Sequence, residues 1–104
     1  MNGDGGAGLP ADRTPIAEVR YRQRARVAGR IHTMRVQPHG GVAGLECTIV
    51  DETCGIVLVF LGRRSIGGMK VGTRIVADGT VVGDDRGRMA ILNPNYQFLP
   101  DETG

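Results

Sequence analysis

Between Leu45 and Leu61 the chain holds two runs of β-branched and apolar residues, Leu45-Glu-Cys-Thr-Ile-Val50 and Ile56-Val-Leu-Val-Phe-Leu61, joined at Asp51-Glu-Thr-Cys-Gly55. Branched side chains favour extended backbone, and the acidic and Gly residues between the runs mark a tight reversal, so this is a strand hairpin. Period two sends Leu45, Cys47, Ile49, Ile56, Leu58 and Phe60 inward. The opposite parity is not polar, for it holds Val50, Val57, Val59 and Leu61. Either the hairpin is covered on both faces, or its second face is an apolar contact surface.

The segments around the hairpin extend the pattern. From Arg20 to Val36 the sequence reads as one long strand, with Val27 and Ile31 inside and Arg26, Arg30 and His32 outside. Gly29 in its middle is unfavourable unless the strand bends there, as a small barrel requires. Gln37-Pro-His-Gly-Gly-Val-Ala-Gly44 reads as a flexible loop. Arg63-Arg-Ser-Ile-Gly-Gly-Met-Lys70 reads as a connector with a helical turn, followed by a Val71-Gly72 turn. Thr73 to Val82 is a fourth strand, with Ile75, Ala77 and Val81 on one face and Arg74, Asp78 and Thr80 on the other. Gly83-Asp-Asp-Arg-Gly87 is a turn rich in residues that tolerate positive φ. A fifth strand, Arg88 to Leu92 and Tyr96 to Leu99, is interrupted at Pro94. The expected fold is all-β: a five-stranded barrel with a short helical turn between strands 3 and 4. Residues 1–18 are expected to be a disordered N-terminal segment, at most with a brief helical turn from Pro15 to Glu18. The domain spans 19–99, and 100–104 is a tail.

At 104 residues the chain makes one domain at most. With Tyr21, Phe60, Tyr96 and Phe98 as its aromatics and no Trp, its core must be aliphatic. A formal charge of +2 names no partner, but six arginines and no acid lie between Arg20 and Arg35. Twelve of the thirteen basic residues are Arg, whose planar fork suits phosphates and base edges. A genome rich in Arg codons would account for the residue type, though not for the clustering. Cys47 and Cys54 should not face each other across the hairpin, so free thiols in a reducing cytoplasm are expected. No CxxC pair or His cluster suggests a metal or another cofactor. The N-terminal residues have neither the basic nor the apolar region of a signal peptide, and no run approaches a membrane span.

Val27-Ala-Gly29, Asp51-Glu-Thr-Cys-Gly55, Ile56-Val-Leu-Val-Phe60, Val71-Gly72, Ala77-Asp-Gly79 and Asn93-Pro-Asn-Tyr96 occur in one order. In that order they resemble the OB-fold nucleic-acid-binding domains of the tRNA-anticodon and helicase-wedge group, and most closely the wedge domain of the bacterial branch-migrating helicase. The resemblance covers residues 20–99 and rests on architectural residues. It implies a Greek-key OB-fold barrel whose ligand face is that of strands 2 and 3. That face would be framed by the loops Gln37–Gly44 and Gly83–Gly87. No motor or synthetase catalytic domain accompanies it, so neither activity is expected. Where an aromatic pair often ends the third strand, this chain has Phe60-Leu61, with one ring fewer for stacking.

Arg26, Arg30 and His32 lie next to that face, with Arg35 at the loop edge. They are candidate phosphate ligands, the alternative being a solvated strand face. Arg20, Arg22 and Arg24 would line one side if extended, or form a loose basic arm. Arg63, Arg64 and Lys70 line the connector, and Arg74, Arg86 and Arg88 the later strands; Arg63, Arg64, Arg74 and Arg88 are further candidate nucleic-acid contacts, with solubility the alternative for each taken singly. Tyr96 is the stacking candidate by motif position, or else a packed ring that closes the barrel. His39 sits in the flexible loop. Asp84 and Asp85 would repel phosphate. Asp51, Glu52, Asp84 and Asp85 are explained by turn chemistry before any acid–base role, and nothing local poses a base beside Ser65, so an enzyme is not expected. The expected function is non-catalytic binding of nucleic acid, single-stranded or junction DNA ahead of RNA, with weak sequence preference. The alternative is a protein-interaction adaptor that meets its partner through the Val57 and Val59 face.

Overall fold

The computed structural model describes residues 9–100, and these form one sheet of six strands. They are β1 Arg24–His39, β2 Val42–Val50, β3 Gly55–Leu61, β4 Arg74–Gly83, β5 Met89–Leu92 and β6 Asn95–Phe98. The strands run β1-β2-β3-β5-β4, and β4 pairs back onto β1, so the sheet closes in a ring of five strands. All pairings are antiparallel except β3 with β5.

β1 makes closure possible by serving both sides of the ring. Its residues Arg24 to Arg30 pair with β4, and Arg30 to His39 pair with β2. Where the strand passes from one neighbour to the other, backbones converge. A Cβ on Gly29 would lie 2.3 Å from the carbonyl oxygen of Val50. Only glycine fits that approach, which accounts for the bend expected there. Two residues later the β1–β2 register shifts: Ile31 faces Ile49 and Thr33 faces Thr48, leaving His32 as an extra, exposed residue. This bulge reverses the side-chain parity of everything after it.

β5 and β6 both run along one edge of β4, at Val81–Gly83 and Ile75–Asp78, as the interrupted fifth strand predicts. Asn93, with φ +49°, makes the break and also bridges it. Its N–H donates to the Val59 carbonyl at 2.7 Å, and its Oδ1 accepts from the Leu61 N–H at 2.9 Å. Inside the ring lie Val27, Ile31, Leu45, Cys47, Ile49, Ile56, Leu58, Phe60, Ile75, Ala77 and Val81, the inward parity predicted for the first four strands, together with Ile91 from β5. Ile66 and Met69 from the connector belong to the same core, with the Cys47 thiol 3.2 Å from the Met69 sulfur. Burial pushes the Cys47 thiol up to about 11, so it acts as a small apolar filler.

Four sequence expectations change. The first strand begins at Arg24 and ends at His39, because Arg22 (φ +69°) turns the chain and its N–H donates to Val81. Arg20, Arg22 and Arg24 therefore do not form one extended row. The segment Gln37–Gly44 is no loose loop: pairing continues to His39 and Val42, leaving a two-residue Gly40-Gly41 turn with φ of +59° and +83°, the twist that suits a hairpin. The connector between β3 and β4 contains hydrogen-bonded turns rather than a helical element, since Gly67-Gly68 lacks the side chains that would favour one. The lead-in expected to be disordered over 1–18 is packed in its described part, residues 9–18. There a 3-10 turn forms at Ile16–Glu18, and Ile16 is buried because the Asp51 carboxylate accepts its N–H at 2.9 Å. Residues 1–8 and 101–104 lie outside the described residues. Among the described residues, no helix is long and apolar enough to cross a membrane.

Candidate nucleic-acid interface

The bulge at His32 decides what the outer side of the ring carries. Simple alternation would put Arg35 on the opposite face from Arg26 and Arg30. With the parity reversed, Arg35 pairs with Glu46 outside the ring, while Met34 pairs with Cys47 inside it. Arg24, Arg26, Arg30 and Arg35 thus all project from the outer side of one strand that holds no acid. Arg26 approaches Asp12 at 3.3 Å and Arg24 approaches Asp78 at 4.0 Å, both as exposed pairs. Arg30 donates to the Gly72 carbonyl at 3.0 Å.

Farther along, the outer side is a charge network built on Glu46. This carboxylate is buried in mid-hairpin. Its Oε2 lies 2.7 Å from His39 Nε2 and 3.2 Å from Arg86 Nη1, and its Oε1 lies 3.1 Å from Arg88 Nη2 and 3.7 Å from Arg35 Nε. Arg88 also donates through Nε to Asp84 Oδ2 at 2.8 Å, and Asp84 Oδ1 accepts the N–H groups of Arg86 and Arg88. Burial pushes the Glu46 carboxyl up, but hydrogen bonds and charge from Arg88 and His39 outweigh it and hold it below its usual value. The same balance lowers Asp84, where burial is outweighed by the Arg88 and Arg86 hydrogen bonds.

The network ties together the two turns that would frame a ligand cleft. Arg86 Nη2 donates to Gln37 Oε1 at 3.0 Å, and His39 Nδ1 lies 3.5 Å from Asp85. Each ring nitrogen of His39 therefore faces a carboxylate, and the ring lies over Gly44, where a Cβ would come within 2.8 Å of it. The expectation that Asp84 repels phosphate changes accordingly, since its charge is spent on Arg88.

Beneath this network Val57, Val59 and Ala90 form a second apolar cluster with Leu61 packed against it. Val57 is 5% exposed and Val59 0%, so the expected adaptor surface at these two residues is not open to a partner. Of the two outcomes for the outer parity of the hairpin, coverage on both faces is the one found.

The remaining candidates are dispersed. Arg74, expected on the outer face, is only 7% exposed, and its guanidinium donates to the Pro100 carbonyl. Arg63 and Arg64 are exposed on the connector, Arg63 donating to the Ser65 carbonyl at 3.4 Å. Tyr96 is 40% exposed, edge-on to Phe60 at 5.3 Å and tilted against Phe98 at 5.6 Å. The ring thus packs on two others while staying partly open, in keeping with the reading of Tyr96 as a closing ring. Sequence reasoning passed over Glu46 because it alternates outward beside Thr48 like any solvated acid. The available signal was its cross-strand company: a lone acid on a parity otherwise holding Val57, Val59 and Leu61 needs cations to pair with. No family model matches the chain, and no curated protein shows detectable similarity to it.

Proposed function

We propose that this chain is a bacterial OB-fold module that binds single-stranded or junction DNA, ahead of RNA, without catalysing a reaction and with little sequence preference. The strand order β1-β2-β3-β5-β4 closing on β1, with its one parallel pair, agrees with a five-stranded Greek-key barrel. The single observation that carries the reading is the acid-free outer side of β1, where the bulge aligns Arg24, Arg26, Arg30 and Arg35. Exposed pairs such as Arg26–Asp12 contribute only about 0–1 kcal/mol, so a phosphate can displace the carboxylate. The buried pairs of Arg88 are a different case, and that residue serves the fold rather than the ligand. Free thiols at Cys47 and Cys54 fit a reducing cytoplasm.

A titration of labelled single-stranded DNA tests this. If the four β1 cations each engage one phosphate, log K falls with log salt at a slope of about −2.8, roughly a 50-fold loss between ~50 and ~200 mM. A slope near zero, or no binding at the lower salt, refutes the reading.

A further inference from the structure

The β1–β2 hairpin has two sides, and they differ in availability. Past the exposed Arg35, the outer side is closed by the buried Glu46 network. The inner side continues the core-facing parity of Met34 and Cys47, but beyond the ring nothing fills it: Val36 is 38% exposed although its partner Leu45 is buried. Here lies an open hollow of about 380 Å³, lined by Val36, Gln37, Pro38, Gly41, Ala43 and Arg64. Arg64 reaches it because the connector leaves β3 beside the hairpin, the Gly62 N–H donating to the Ala43 carbonyl at 2.7 Å. Among the described residues no ion pair joins Arg63, Arg64 or Lys70 to a carboxylate.

We infer that a single strand of nucleic acid crosses this connector side of the hairpin, with one nucleotide seated in the hollow and its phosphate held by Arg64. The inference rests on the proposed function and gives the ligand a path that avoids the locked cleft between the two turns. The size falls within the range of ligand sites, about 300–1,000 Å³. The lining suits a nucleotide: an apolar wall of Val36, Pro38 and Ala43 for the base and sugar, and one planar cation for the anion. A path over the Glu46 network would instead have to break the buried charge pairs that Arg88 makes with Glu46 and Asp84.

The test measures anisotropy of a labelled oligothymidylate with the full chain, its Arg64→Ala variant and its Arg26→Ala variant, with amide NMR spectra of the unlabelled complex. Losing one phosphate contact should weaken Arg64→Ala about five-fold at ~0.1 M salt and reduce the salt slope by about 0.7. Amide resonances of Gly41 and Ala43 should shift on binding while that of Asp85 stays in place. If Arg64→Ala binds like the parent and Gly41 and Ala43 do not respond while Arg26→Ala weakens binding, the placement is overturned and the proposed function stands. If the parent chain does not bind at all, both are overturned.

Discussion

Replacing Asp51 by Asn would change one atom type at the point where the N-terminal segment, the β2–β3 turn and the core meet. The Asp51 carboxylate accepts four hydrogen bonds: Ile16 N–H on Oδ2 at 2.9 Å, and Thr53 N–H, Thr53 Oγ1–H and Cys54 N–H on Oδ1 at 2.7, 2.6 and 3.0 Å. An Asn at this position retains the three turn bonds through its carbonyl oxygen, but it then presents an NH₂ group to the Ile16 N–H. A buried donor left without an acceptor costs about 2 kcal/mol, and lost charge assistance in the turn adds roughly 1 kcal/mol. A loss of about 3 kcal/mol lowers the Tm of a domain this size by roughly 12–24 °C. Urea melts followed by circular dichroism give the free energy, and amide exchange locates it. Ile16 should lose protection well before Leu58 does, because only the segment around Ile16–Glu18 is unpinned. A change below about 0.5 kcal/mol, the level of an ordinary surface substitution, with Ile16 still protected would refute the reasoning.

Gly29→Ala would drive a methyl group to 2.3 Å from the Val50 carbonyl oxygen, so β1 and β2 must separate at the bend. An overpacking loss of about 1–3 kcal/mol is expected in a denaturant titration, and an unchanged midpoint would contradict the close approach. Acid should also destabilise the fold. Glu46, Asp51 and Asp84 are all held below their ordinary values of 4.5, 3.8 and 3.8 in the folded chain, burial being outweighed by their hydrogen bonds. Their contribution is therefore complete above those ordinary values and is lost as pH falls through the lower, folded ones. Stability measured against pH should be level above about pH 5 and decline below pH 4, less steeply in Glu46→Gln than in the parent.

Strand alternation was legible because the core is aliphatic and its period is simple. Leu45, Cys47, Ile49, Ile56, Leu58 and Phe60 all face inward as their spacing predicts. Gly29 announced a bend, and the Asn93-Pro94 interruption announced a split final strand. What alternation could not supply was the register slip at His32, because a bulge depends on the partner strand and leaves no mark of its own in the sequence. The fate of the charges was equally hidden. Arg35, Arg86 and Arg88 read as separate surface cations, yet they converge on Glu46 from β1 and the β4–β5 turn, as many as 53 positions apart by number from Arg35 to Arg88. The packing of Ile16 was missed for a related reason. A short apolar residue in a Gly- and Pro-rich stretch looks idle until a distant carboxylate offers its N–H a partner.

His32 gives the longest strand a spare position. Excising it would leave Met34 inside and Arg35 outside, since the amino acids on either side already meet consecutive partners on β2. Lengthening the strand there by one would restore plain alternation and keep the same two faces, but each residue beyond it would meet a partner two places farther along β2. Shortening keeps every partner and lengthening displaces them, and the tolerance of the protein to either is set by a single unmatched residue.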